Sequence, residues 1–143
     1  MVHIAIAVTD ADIQRCFPVM NQLRPHLVEA EFVERIRRQE QQHYHLVRLE
    51  ENDEVKAVSG FRLGENLAWG QFLYVDDLVT HEGDRAKGYG QALFEWLIDH
   101  ANANNCHQLH LDSGVHRFGA HRFYMKRGLV IQSHHFGLTL SLP

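Results

Sequence analysis

The chain has 143 residues, 45% apolar and 22% charged, with 10 Gly and 3 Pro, a make-up that excludes collagen-like, low-complexity and disordered classes. Fourteen Lys and Arg against 18 Asp and Glu leave a formal net charge of -4, the wrong sign for a nucleic-acid binder. Cys16 and Cys106 are too few for a disulfide framework or a four-cysteine zinc site, no apolar run reaches the length of a membrane span, and Met1-Val2-His3-Ile4 lacks the regions of a signal peptide. One cytoplasmic domain over residues 1–143 is expected, with no membrane or nucleic-acid partner.

In chain order, residues 2–8 read as a short strand. Thr9 or Asp10 caps a helix with Ile13, Cys16, Phe17, Met20 and Leu23 at helical spacing, and Pro18 forces it to kink or begin again. A second helix over 28–42 turns Phe32, Val33 and Ile36 inward. Strands at 44–49 and 55–63 flank the polar residues 50–54 as a hairpin, with Val55, Ala57, Phe61 and Leu63 expected on one face. A turn at 64–66 leads to the longest strand, 68–79. A helix over 88–102 follows, packing Leu93, Trp96, Leu97 and Ala101; then come a strand at 106–112, a helix at 116–126 and a final extended segment at 129–142. The order β-α-α-β-β-β-α-β-α-β predicts a mixed α/β sheet covered by about four helices.

The chemistry concentrates after the long strand. Leu78-Val79-Thr80 is followed by Arg85-Ala86-Lys87-Gly88-Tyr89-Gly90 and then a helix. Glycines let backbone approach a ligand closely, and a helix start presents unpaired N–H groups and partial positive charge. The segment is a candidate phosphate cradle, with Arg85 and Lys87 as flanking cations. It is neither a Walker loop nor a dinucleotide fingerprint. The pattern R/Q-x-x-G-x-G/A alone arises in roughly one chain in eight of this length, so its place between strand and helix carries the weight.

These residues resemble the GNAT superfamily of acetyl-CoA-dependent N-acetyltransferases. Leu73-Tyr74-Val75-Asp76-Asp77-Leu78-Val79-Thr80 looks like that family's central strand, correctly spaced from Arg85. Ala120-His121-Arg122-Phe123-Tyr124-Met125-Lys126-Arg127-Gly128-Leu129 is similar to its A-x-x-F-Y-x-x-x-G-F segment, with Leu129 for Phe. The resemblance spans Phe72 to Leu129 and implies a mainly antiparallel sheet with a splayed strand pair that admits acetyl-CoA. It further implies that the backbone of Leu78, Val79 and Thr80 pairs with the pantetheine arm and that amides from Arg85, Ala86, Lys87, Gly88, Tyr89 and Gly90 hold the pyrophosphate. Tyr124 matches the tyrosine that protonates the departing thiolate. Arg117 stands where many members have an Asn that helps bind the cofactor.

Taken alone, Tyr124 reads as a helix tyrosine packed on the sheet; the motif around it points to the acid. Asp76 and Asp77 are adjacent on a strand and are expected to face opposite sides. Asp76 shares a face with Phe72 and Tyr74, and in related diamine acetyltransferases a Glu that serves the acceptor amine stands at the similar place. Tyr74 is the next candidate. The 12 histidines show no zinc-ligand spacing, so no metal is expected, and Cys106 is read as core. The expected activity is acetyl transfer to a primary amine of a small molecule by direct attack in a ternary complex. Asp76, Glu31 and Glu34 favour a small cationic amine, whereas the Ala120–Tyr124 stretch also resembles aminoalkylphosphonate acetyltransferases. A protein amine as acceptor, a catalytically silent acyl-CoA sensor and a homodimer stay open.

Overall fold

A five-stranded sheet in the order β1-β2-β3-β4-β5 dominates the computed structural model, which describes residues 1–141. The chain falls into two compact units, Met1–Leu111 and the segment from Asp112 onward. In the first, β1 (His3–Ile6), β2 (Tyr44–Glu51), β3 (Glu54–Asn66) and β4 (Gly70–Thr80) pair antiparallel, and β5 (Gln108–Leu111) joins β4 in parallel. Helices α1 (Asp10–Arg15), α2 (Phe17–Leu23), α3 (Phe32–Glu40) and α4 (Tyr89–Ala103) flank this sheet. The α/β architecture and mixed sheet are as the sequence predicts. No helix among the described residues is long and apolar enough to cross a membrane.

Local chemistry accounts for the element ends. Thr9 caps α1 in a capping box with Asp12, whose N–H donates to Thr9 Oγ1 at 3.0 Å. The helix stops at Cys16, and α2 begins again at Phe17 with Pro18 in its first turn, where no N–H is needed. The β2–β3 turn is tighter than expected: only Asn52 and Asp53 lie between the strands, both left-handed at φ 56° and 61°, the two-residue turn whose twist suits a hairpin.

Ile13, Phe17 and Phe32 pack with Tyr44, Leu46, Val58 and Val79 on the α1–α3 face of the sheet. A bulge at Lys56 opposite Leu49 and Glu50 turns Val55 to this face too, away from its expected alignment with Ala57. On the other face α4 buries Leu93, Phe94 and Leu97, and Phe61 meets the edges of Trp96 and His100 at 5.9 and 5.2 Å. Cys106 precedes β5 instead of starting it and is only half-buried, so Cys16 is the cysteine of the core.

In the second unit, α5 (Phe118–Lys126) ends at Gly128, whose φ of 92° favours glycine. Gly128 N–H donates to Met125 O at 3.1 Å and Leu129 N–H to Tyr124 O at 3.2 Å, the paired bonds of a Schellman stop. That geometry is a physical reason for Gly-Leu at this place in the motif. The final extended segment forms no strand over the described residues 129–141. Its alternating Phe136, Leu138 and Leu140 are exposed and gain no buried surface to offset the entropy of ordering; Leu142 lies outside the described residues.

Candidate active site

The register of β4 against β3 jumps at one place. Val75 faces Phe61 and Asp77 faces Gly60, which leaves Asp76 as an extra residue without a partner. Such a bulge reverses the alternation of side chains beyond it. Asp76 and Asp77 therefore line one cavity instead of facing apart, together with Tyr74, Arg24, Arg35, Phe32 and Ile36. This corrects the expectation from simple strand alternation. Tyr74 and Asp76 do share a face as predicted. Beyond the bulge Val79 joins the α1–α3 core.

The cavity measures about 370 Å³, within the range of small-ligand sites. Arg62 Nε donates to Asp76 Oδ2 at 2.9 Å, and Arg24 Nε donates to Asp77 Oδ1 at 2.9 Å while its Nη2 reaches Asp76 O at 3.0 Å. The buried Tyr44 hydroxyl donates to Asp77 Oδ2 at 2.9 Å. Burial, then the nearby Asp77 charge, pushes the Tyr44 phenol well above its usual range, so it stays a donor. Asp76 is itself raised: burial outweighs the opposing Arg62 hydrogen bond and charge. A raised carboxyl is a better proton acceptor than a solvated one.

Sequence reasoning missed Arg24, Arg62 and Tyr44, which reach the site from three separate elements. The one local signal was Gly60, a glycine inside a strand. A Cβ there would lie 1.8 Å from Tyr44 Oη and 2.6 Å from Asp77 Oδ2, so the tyrosine–aspartate hydrogen bond occupies the space a side chain would fill. Glu31 and Glu34 do not line the cavity; Glu34 is exposed and pairs with Arg38 at 3.6 Å.

Beyond Val75, the last position paired with β5, β4 runs on through Leu78, Val79 and Thr80 with β3 on one side and no strand on the other among the described residues. The loop that follows is braced by Asp84, which is buried and accepts from Lys87 at 3.0 Å and Lys56 at 3.4 Å. The Lys87 hydrogen bond is the chief cause of its lowered pKa. Lys87 is thus tied to the loop, whereas Arg85 makes no ion pair with the described residues. Ala86 and Gly88 are left-handed at φ 66° and 85°, and α4 starts at Tyr89 with no side chain capping it. A Cβ on Gly88 would meet nothing within 4 Å. Uncapped amides facing open space suit a phosphate-bearing ligand.

Tyr124 lies in α5, where burial, opposed by the Arg117 charge, holds its phenol above the usual range. The guanidinium of Arg127 covers the neighbouring Phe123 ring at 4.1 Å. Neither cysteine is poised as a nucleophile: burial pushes the Cys16 thiol up to about 12 and also raises Cys106. Among the described residues no three His, Cys, Asp or Glu side chains gather as metal ligands.

A mixed sheet whose fourth strand bulges over a polar cavity and then feeds an uncapped helix suits a protein that holds a phosphate-bearing ligand beside a small polar one. The model of the acetyltransferase (GNAT) family matches residues 9–129, and the chain belongs to that family. It is 31% identical over 138 residues to an uncharacterized N-acetyltransferase, YhdJ, of Bacillus subtilis (strain 168), covering 95% of this chain and 97% of the relative. Among solved structures it is similar to glucosamine-6-phosphate N-acetyltransferase from Arabidopsis thaliana, with a TM-score of 0.79 at 20% identity and 99% of each chain covered. It is also similar to ribosomal-protein-alanine N-acetyltransferase from Brucella melitensis biovar Abortus 2308, with a TM-score of 0.84 at 15% identity, covering 99% and 100% of the two chains. The protein is an acetyltransferase.

Proposed function

We propose that this enzyme moves the acetyl group of acetyl-CoA onto a primary amine of a small molecule bound in the cavity beneath β4. The observation that carries the reading is the bulge at Asp76, which sets a carboxylate of raised pKa beside Tyr74 in a pocket of small-ligand size. Asp76 takes the proton of the incoming ammonium, directly or through one water. The freed amine nitrogen bonds to the thioester carbonyl carbon, the C–S bond breaks, and Tyr124 gives its proton to the thiolate, by its match to the family motif. The nitrogen's surplus proton leaves to solvent, which restores the phenol. Backbone groups of Leu78, Val79 and Thr80 align the pantetheine arm, and amides of Arg85 to Gly90 hold the pyrophosphate. The absence of a poised cysteine thiol supports direct attack over an acyl-enzyme.

Thiol release with acetyl-CoA against a panel of small amines tests this reading. Amine-dependent turnover is expected, and acetyl-pantetheine, which lacks the pyrophosphate, should serve at least tenfold less well. Equal use of the two donors would remove the phosphate cradle; no amine-dependent release from any acceptor would remove the reaction.

A further inference from the structure

The cavity wall carries more positive charge than its carboxylates match. Asp76 is held by Arg62 and Asp77 by Arg24, so each acid already faces a guanidinium. Arg35 lines the same cavity from α3, between Phe32 and Ile36. Its neighbours are committed elsewhere, Arg37 to Asp10 and Glu40 and Arg38 to Glu34, whereas Arg35 makes no hydrogen bond or ion pair with the described residues. Both carboxylates of the lining are thus paired, Asp77 by Arg24 of the same wall and Asp76 by Arg62 from outside it, and the Arg35 charge is left unmatched at the cavity. His26 also lines the cavity without a hydrogen-bonding partner among the described residues.

A diamine would bring a second cation into a wall whose acids are already paired. An acceptor carrying an anion would instead supply the missing charge, and a guanidinium fork suits carboxylate and phosphonate oxygens alike. We infer that the acceptor is a small amphoteric amine, bearing a carboxylate or a phosphonate, with its anion on Arg35 beside His26 and its amine toward Tyr74 and Asp76. This rests on the reading of the cavity as the acceptor site. At about 370 Å³ the space suits such a molecule.

The test compares acceptors of equal chain length: an aminocarboxylate, an aminophosphonate, an amino alcohol and a diamine. Wild type should prefer one or both anionic amines over the amino alcohol and the diamine, and whichever anion leads identifies the group bound. In Arg35→Gln the ratio of kcat/KM for the anionic amine over the amino alcohol should fall ten- to hundredfold, chiefly through KM, and Arg35→Lys should restore part of it. A wild-type preference for the diamine, or an equal loss for every acceptor in Arg35→Gln, overturns the inference. Calorimetric titration of the same amines separates it from the reaction itself. If no acceptor releases thiol, Arg35-dependent binding of the anionic amines still upholds the assignment, and equal binding by wild type and Arg35→Gln rejects it.

Discussion

Replacing Gly60 with Ala probes the arrangement on which the cavity at Asp76 and Asp77 depends. The backbone there is not left-handed, so Ala brings no φ strain and the effect is purely steric. The added methyl would sit 1.8 Å from Tyr44 Oη, 2.3 Å from Tyr44 Cζ and 2.6 Å from Asp77 Oδ2, all inside contact distance. Tyr44 is 2% exposed and packed in the α1–α3 core, so its ring has nowhere to swing. Overpacking costs about 1–3 kcal/mol, and loss of a buried hydrogen bond to a carboxylate about 1.5–3 kcal/mol. Together these give a destabilisation of about 3–5 kcal/mol, or a fall of roughly 10 °C in Tm for a chain of this size. Gly64→Ala is the control: its methyl meets only the tip of the half-buried Phe72 ring, at 2.8 Å, and should cost less than about 1 kcal/mol. Thermal and urea unfolding of both variants measure the difference. A Gly60→Ala protein melting within about 2 °C of wild type would refute the packing argument.

Asp76→Asn should lower kcat/KM mainly at low pH, where the amine arrives protonated, by about 10²-fold or more, and an unchanged pH profile would move the base to Tyr74 or solvent. Tyr124→Phe keeps the ring, so kcat should fall about 10²-fold while Kd for acetyl-CoA, followed by calorimetry, stays constant; full activity would end the acid assignment. His100 lies flat on Trp96 at 4.7 Å, and burial holds its pKa below the ordinary value. The unfolded chain therefore binds this proton first as pH drops, and stability should decline below a pH of about 6.5. His100→Gln should flatten that slope in urea midpoints taken at neutral and mildly acid pH; an unaltered slope would exclude His100 as its source.

Much of this was legible in local patterns. The Thr9 cap, the restart at Pro18, the inner stripe of Phe32 and Ile36, and the strand-to-helix loop at Arg85–Gly90 each rest on residues near in sequence. The bulges were not legible, because nothing in Tyr74-Val75-Asp76-Asp77 marks which residue drops out of register; that is decided by Phe61 and Gly60 on the neighbouring strand. The pairing of Arg24 with Asp77 spans 53 residues and has no local signature. The end of the chain failed for a related reason: alternation in Phe136, Leu138 and Leu140 satisfies a strand pattern, but a strand also needs a ladder to join.

The extra residue at Asp76 gives β4 two reading frames. Before it, even-numbered side chains such as Tyr74 look toward α1–α3; after it, odd-numbered ones such as Val79 do. The cavity end and the Leu78–Thr80 end of the strand are thus set in separate frames on one backbone. Changes at Tyr74 can remodel the cavity wall while leaving Leu78–Thr80 in phase. A deletion anywhere between the two would swap buried for exposed positions along the whole of one end. Grafting a new specificity onto this scaffold therefore means preserving the count of residues before preserving their kind.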